Sequence, residues 1–359
     1  MALNDLPLKY EEQVIFQLRG LYQQCGYAQY SMSKFEEYEL YARNKNFLVS
    51  DHILTFTDID GKLMALKPDV TLSIIKNSQN NGAVQKVYYN ENVYRTAPTS
   101  CGYREIMQVG LECIGNLDDY TVCEVVALAA RSLECVSNNY LLDLSHMGMV
   151  SGLLDFMGLN EQKEVFPLIA EKNIPGISAL CREKSVSAQT SRLLCELVEL
   201  YGTPEQVLPA LKKMVVNKQM ADALDKLRLV CTLLKPYENH LRLDFSIVND
   251  MRYYNGIIFR GYLPGLASGI LAGGQYDNLL QRMGKSGQAI GFAVYMDQLE
   301  RFDRPEKEFD VDVLLLYGPN SDFRNVFTIA DDLRQSGSSV RVERTIPAGL
   351  RYRECREVN

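Results

Sequence analysis

Between residues 10 and 25, apolar side chains fall at Val14, Leu18, Leu21, Tyr22 and Cys25, the spacing of one helix face, and Gly26 supplies a stop. ILTFTDIDGKLMALKPD predicts two strands around Asp60-Gly61, a favoured hairpin turn pair. KVYYNENVYRT and REIMQVGLECIG, rich in Tyr, Val and Ile, predict two more strands joined by the polar loop APTSCG. Tyr120–Glu134 carries Val122, Val126, Ala129 and Leu133 on one stripe and predicts a helix, with YLLDLS a strand after it. From about Leu159 to Tyr237 the pattern turns helical, with breaks at Pro175-Gly176 and Gly202-Thr203-Pro204, as expected of a helical insertion. HLRLDFSIV and RYYNGIIFRGY return to strand character. LAGGQYDNLLQRM reads as a glycine turn entering a helix, and AIGFAV as a short strand running into MDQLERF. The charged stretch Asp303–Glu308 reads as a linker, followed by one strand–helix–strand unit in VDVLLLY, FRNVFTIADDLRQSG and SVRVER. The pattern therefore divides the chain into a core over 1–302, with the insertion at about 159–237, and a short unit over 309–359. About fifty residues is too few for a full α/β domain with its own core.

Composition narrows the class. The 359 residues suffice for one large core and a smaller second unit, and 47% apolar with 23% charged residues is ordinary for a globular protein. No run approaches 18 uninterrupted apolar residues, and MALNDLPLKYEE lacks a basic segment followed by an apolar one, so a cytoplasmic protein without a membrane span is expected. Nine cysteines, an odd number without a CxxC pair, fit reduced thiols better than disulfides or zinc. His52, His146 and His240 are isolated, so neither a metal nor another cofactor is expected. A net charge of −7 with no Lys/Arg cluster points away from nucleic acid, where phosphate neutralisation dominates affinity.

Candidate chemistry lies in REIMQVGLECIG, where alternation places Gln108, Gly110 and Glu112 on one side. A glycine there lets a ligand approach the backbone, while Gln108 offers an amide. Glu112 can accept a hydrogen bond from an imidazole N–H or an ammonium group. A solvent-facing strip on an edge strand would show the same alternation.

KVYYNENVYRTAPTSCGYREIMQVGLECIG resembles motif 2 of the class II aminoacyl-tRNA synthetases, and among them that of the histidine enzyme. LKPDVT is similar to that family's clamp on the amino group of histidine, NDMRYYNGIIF to its histidine signature, and AGGQYDNLL with AIGFAVYMDQLER to its motif 3 region. These ordered segments span residues 5 to about 302. The resemblance implies an α+β fold: an antiparallel sheet flanked by helices, with a helical insertion and a short C-terminal α/β remnant. It also implies a histidine-like pocket with Asp69 and Thr71 at the amino group, Gln108 and Glu112 as polar contacts, Tyr253 and Tyr254 beside the imidazole, and Arg95 retained from motif 2.

The departures bear on activity. Ala97 stands where motif 2 has an acid, the motif 2 loop is one residue short, and Gly102 lies at or near another expected arginine. The family's catalytic arginine aligns with Asn249, its motif 3 phosphate-binding arginine with Gln298, and its motif 1 proline with Ser33. Guanidinium groups hold phosphate oxygens bidentately as charge develops, and losing one such donor costs about 2.7–4 kcal/mol by analogy with an oxyanion hole. The pattern is similar to the regulatory subunits of short-form ATP phosphoribosyltransferase. It implies a non-catalytic chain, a homodimer within a hetero-oligomer, that assembles with a small catalytic subunit. That chain is needed for the catalytic subunit's activity and for feedback inhibition by histidine, which binds in this pocket or at a subunit interface. Two alternatives remain open. One is an active, divergent histidyl-tRNA synthetase in which Arg252 and Arg104 replace the missing groups. The other is a pseudo-synthetase that senses tRNA, which the acidic balance and short tail disfavour.

Overall fold

The structure, a computed structural model, describes residues 8–45, 48, 52–96, 102–159, 162–248, 253–301 and 308–358. The chain divides into two compact units, Met1–Phe302 and Asp303–Asn359.

The first unit opens with helix α1 (Tyr10–Gln24), which buries Val14, Leu18, Leu21 and Tyr22 along the anticipated stripe. The short strands β1 (Ala28–Gln29) and β2 (Phe35–Glu37) follow, then α2 (Tyr38–Arg43), β3 (Thr55–Thr57) and β4 (Leu63–Leu66). Strand β4 pairs antiparallel with both β2 and β3. The β3–β4 turn closes where Gly61 takes φ +80° and the Asp58 carboxylate accepts the Asp60 and Lys62 N–H groups. Helix α3 (Thr71–Asn77) leads to the long pair β5 (Gln85–Thr96) and β6 (Tyr103–Gly115), in register from Gln85↔Ile114 to Thr96↔Tyr103. Most of the connecting loop, residues 97–101, lies outside the described residues.

Helix α4 (Asp119–Glu134) is capped by Asp118 and leads to β7 (Leu141–His146) and α5 (Met147–Phe156). The helical insertion holds α6 (Val165–Ala170), α7 (Ile174–Glu183), α8 (Ala188–Glu199), the two-residue strand β8 (Tyr201–Gly202), α9 (Pro204–Met214) and α10 (Lys218–Leu233). Two of its prolines mark helix starts: Pro175 sits in the first turn of α7 and Pro204 opens α9, where a missing N–H is harmless. Then come β9 (Leu241–Asp244), β10 (Ile257–Tyr262), β11 (Leu271–Gln275), α11 (Asp277–Arg282), β12 (Gln288–Tyr295) and a 3-10 turn over Met296–Arg301.

Among the described residues nine strands form the central sheet in the order β1-β5-β6-β12-β11-β10-β7-β9-β8, antiparallel except for the β1–β5 and β7–β9 pairs. Two apolar clusters flank it. The larger gathers α1, α4, α5 and the insertion. The smaller holds Tyr41, Leu72, Ile75, Tyr89, Tyr276 and Leu279, under α3 and α11.

One expectation is corrected here. Gly273 and Gly274 lie inside β11 rather than in a turn. A Cβ on Gly273 would stand 2.4 Å from the Gly291 carbonyl oxygen, so this glycine permits close strand packing.

The second unit contains β13 (Val311–Tyr317), α12 (Phe323–Gln335), β14 (Val340–Glu343) and β15 (Tyr352–Val358), parallel in the order β14-β13-β15. The strand–helix–strand pattern gains a third strand that the charged sequence YRECREV does not announce. Leu315, Val326, Ala330 and Val358 give the unit a small core of its own. Of the stretch read as a linker, residues 303–307 lie outside the described residues. Among the described residues no helix is long and apolar enough to cross a membrane.

Leu144, fully buried at the centre of β7 between Leu243 and Phe259, tests this packing. Leu144→Ala is expected to destabilise the first unit by roughly 2–5 kcal/mol, the usual range for a buried leucine truncation. The urea unfolding midpoint should fall with little change in slope.

Candidate functional site

Asp69, Thr71, Arg95, Gln108, Glu112, Tyr253 and Tyr254 line one pocket, with about 560 Å³ of space that includes its open mouth. Its floor is the face of the sheet where β6 and β12 run side by side.

Glu112 lies at the bottom, only 2% exposed. Its partner across the sheet is Gly291, and a Cβ there would stand 1.7 Å from Oε2, so a glycine is required opposite the carboxyl group. Thr71 Oγ1 donates to Glu112 Oε1 at 2.7 Å, and the Tyr276 hydroxyl donates to Oε2. Each carboxyl oxygen therefore already accepts one bond. Burial pushes the Glu112 carboxyl up to about 8, with the nearby Asp69 adding to the rise and the two hydroxyls opposing it.

The rim is built by the segment that precedes α3. Arg95 Nε donates to the Pro68 carbonyl oxygen at 2.8 Å, and its guanidinium lies 4.0 Å from the Asp69 carboxylate. Asp69 Oδ1 accepts the Leu72 N–H at 2.9 Å. Burial raises the Asp69 carboxyl while Arg95 and the backbone N–H groups pull it down. Gln108, 3% exposed, is flanked across the sheet by Glu91 and Tyr295. The Tyr253 ring meets Tyr254 edge-on at 4.6 Å and tilts against Tyr276 at 5.5 Å, forming an aromatic wall.

Gly110 behaves differently from the sequence expectation. A Cβ at this position would meet the Phe292 carbonyl oxygen at 2.3 Å and the Tyr89 hydroxyl at 2.5 Å. The space above it belongs to Tyr89 rather than to a ligand. Tyr89, Tyr276 and Tyr295 all line the pocket, and sequence reasoning missed them. The only hint was one tyrosine in the glycine-rich AGGQYDNLL.

The positions of the family's lost arginines separate. Asn249 and Arg252 lie outside the described residues, as does Ala97. Gln298 sits in the turn after β12, where Oε1 accepts the Ser268 hydroxyl at 3.0 Å and the amide donates to Asp297 at 3.1 Å. It does not line the pocket. Arg104, 3.7 Å from Asp297, does not line it either. Gly102 is exposed just before β6, and the Ser33 hydroxyl accepts the Phe35 N–H. Among the described residues, Arg95 is the single basic side chain of the lining, and it is engaged with Pro68 and Asp69. The described lining thus sets one guanidinium beside the carboxyl groups of Asp69 and Glu112.

His146 is buried, its Nδ1 accepts the Gly148 N–H, and burial holds it down to about 4. His240 stacks on Tyr140 at 4.1 Å. Among the described residues no three His, Cys, Asp or Glu side chains form a metal-holding group.

Comparison with known proteins gives three findings. The family profile described as histidyl-tRNA synthetase matches residues 6–299. The chain is 30% identical over 353 residues to the ATP phosphoribosyltransferase regulatory subunit of Caldanaerobacter subterraneus subsp. tengcongensis, covering 94% of this chain and 91% of that one. Two solved structures share the fold. An ATP phosphoribosyltransferase regulatory subunit/histidyl-tRNA synthetase from Bacillus halodurans has a TM-score of 0.77 at 22% identity, covering 97% of this chain and 94% of that one. A chain of the ATP phosphoribosyl transferase (HisG:HisZ) complex from Thermotoga maritima has a TM-score of 0.63 at 17% identity, covering 81% and 98%.

The raised Glu112 carboxyl has a pH consequence. The folded chain keeps a proton that an ordinary carboxyl group of the unfolded chain releases above its usual range. This contribution to stability is therefore complete at low pH and is lost as pH rises through about 8. His146 acts with the opposite sign, but only below its ordinary value of 6.5, and Asp143, pushed up to about 6, has largely finished titrating. Between pH 6.5 and 8.5 the melting temperature should fall, and Glu112→Gln should flatten that slope. An equal slope in the variant assigns the proton elsewhere.

Proposed function

The chain belongs to the histidyl-tRNA synthetase family and, within it, to the ATP phosphoribosyltransferase regulatory subunits, and from that premise we propose how it acts. It is a non-catalytic subunit of histidine biosynthesis. It assembles with the short catalytic subunit of ATP phosphoribosyltransferase, activates it, and carries the feedback signal of histidine bound in the pocket over β6.

One observation carries this proposal: the pocket gathers the side chains suited to an amino acid, yet its only described basic residue is tied to its own rim. Adenylate formation needs cationic groups that hold phosphate oxygens while charge develops. With Asn249 and Gln298 at the two family arginine positions, about 5–8 kcal/mol of transition-state stabilisation is gone, a loss of about 10⁴- to 10⁶-fold in rate. The polar contacts for a ring N–H and an ammonium group are untouched by that change.

Two measurements test the proposal. The purified chain should show no histidine-dependent ATP–pyrophosphate exchange, and exchange clearly above a control without protein would instead establish a divergent synthetase. Added to the short phosphoribosyltransferase subunit of the same cell, it should restore an activity that the subunit lacks alone and make that activity sensitive to histidine. A catalytic subunit fully active alone and indifferent to this chain would overturn the assembly role.

A further inference from the structure

Lys67 is 1% exposed and stands among the largest fully buried side chains of the protein. A buried ammonium group is costly to desolvate and persists only when paired. Its partner is Glu91 on β5: Nζ lies 2.5 Å from Oε2, while Oε1 accepts the Met32 N–H at 3.3 Å. Glu91 shares a strand face with Tyr89 and Arg95, both of which line the pocket, and it faces Gln108 across the sheet. Neither Glu91 nor Lys67 lines the pocket itself.

The pair lies beneath the rim. Lys67 directly precedes Pro68 and Asp69, and its backbone is stitched on both sides, with its N–H on the Lys34 carbonyl oxygen and its own carbonyl oxygen taking the Tyr94 N–H at 2.9 Å. The next carbonyl oxygen, that of Pro68, accepts from Arg95, and Thr71 reaches Glu112. The ion pair thus anchors from below the short segment that presents Asp69 and Thr71.

We propose that the buried Lys67–Glu91 pair is the positioning element of the rim, setting Asp69 and Thr71 at the distance an α-ammonium group requires and so making the pocket selective for ligands that carry one. The inference rests on the reading of this pocket as a histidine site and adds to it what enforces amino-acid selectivity. Lys67 acts through Asp69 and Thr71 and touches no ligand. A fixed rim matters because a misplacement of about 1 Å in a supporting group degrades a site whose own residues are intact.

The test is calorimetric titration of the full chain with two probes: L-histidine, and imidazolepropionate, which keeps the ring and carboxylate but lacks the ammonium group. Lys67→Met should weaken histidine roughly 10- to 100-fold, the range seen when outer partners of a binding group are removed, and leave imidazolepropionate within about twofold of wild type. Glu91→Gln keeps the shape and one acceptor for the ammonium group. It serves should Lys67→Met not fold, and its loss should be smaller but confined to histidine. Equal losses for both probes, or none, in a variant with wild-type circular dichroism would overturn the positioning role alone. Absence of histidine binding by the wild-type chain would overturn the reading of the pocket, and this inference with it.

Discussion

A carboxyl group buried in the middle of a nine-stranded sheet constrains everything around it. Glu112 projects from β6 with only 2% of the residue exposed, so its carboxyl oxygens rely on donors from the protein. Thr71 supplies one from the start of α3, and Tyr276 the other from the turn into α11. Space for the group exists because β12 has a glycine opposite. Four elements distant in sequence are thereby fixed by one side chain. Burial outweighs these two hydrogen bonds and raises the carboxyl above its ordinary value. Exchanging Thr71 or Tyr276 for an apolar residue of similar shape leaves a buried acid short of a partner, a larger penalty than the bond's own net contribution.

The charged groups of the rim obey a related rule. Arg95, Asp69, Lys67 and Glu91 lie close together at the edge of the pocket, alternately basic and acidic. Each cation meets a carboxylate or a carbonyl oxygen, so the cluster is close to neutral. A near-neutral cluster of that kind exerts little long-range pull on phosphate, which agrees with the proposed binding of a zwitterion. Arg95 shows why residue identity alone does not give function. A guanidinium at this motif position is retained, but its donors face the Pro68 carbonyl oxygen and Asp69.

Much of the scaffold was legible from periodicity, because long elements repeat their pattern over enough residues to be unambiguous. Helix α1, the β5–β6 pair and α4 fall within a residue or two of their expected bounds. Gly273-Gly274 misled because paired glycines usually mark a turn, and here strand crowding excludes side chains instead. Strand β15 was invisible because its charged residues line an exposed edge of a parallel sheet, where no alternation is imposed. For the pocket, the resemblance brought together seven residues spread over nearly two hundred positions. It did not supply Tyr89, Tyr276 or Tyr295, whose identity gives no sign that they face inward, nor Lys67, which as a lysine reads as solvent-exposed. Burial of that charge follows from tertiary packing alone.

A pocket that binds without reacting works under a different constraint from a catalytic one. An enzyme gains from interactions that strengthen in the transition state, whereas a regulatory site acts only through the difference in affinity between two states of the assembly. For the proposed role the ligand must therefore make contacts in one state that it lacks in the other. Three parts of this pocket are held in different ways. Strand β6 is locked into the sheet by its ladders with β5 and β12. The rim segment before α3 and the Tyr253–Tyr254 segment are irregular backbone, joined to the floor through Thr71, Arg95 and ring contacts. A coupling of about 1–3 kcal/mol is typical between regulatory sites, and a net hydrogen bond contributes about 0.5–1.5 kcal/mol. Two or three bonds to the rim, present in one state and absent in the other, are enough. In the proposed role the sheet recognises the ring, and the rim, held by the Lys67–Glu91 pair, presents those bonds in the state that binds histidine.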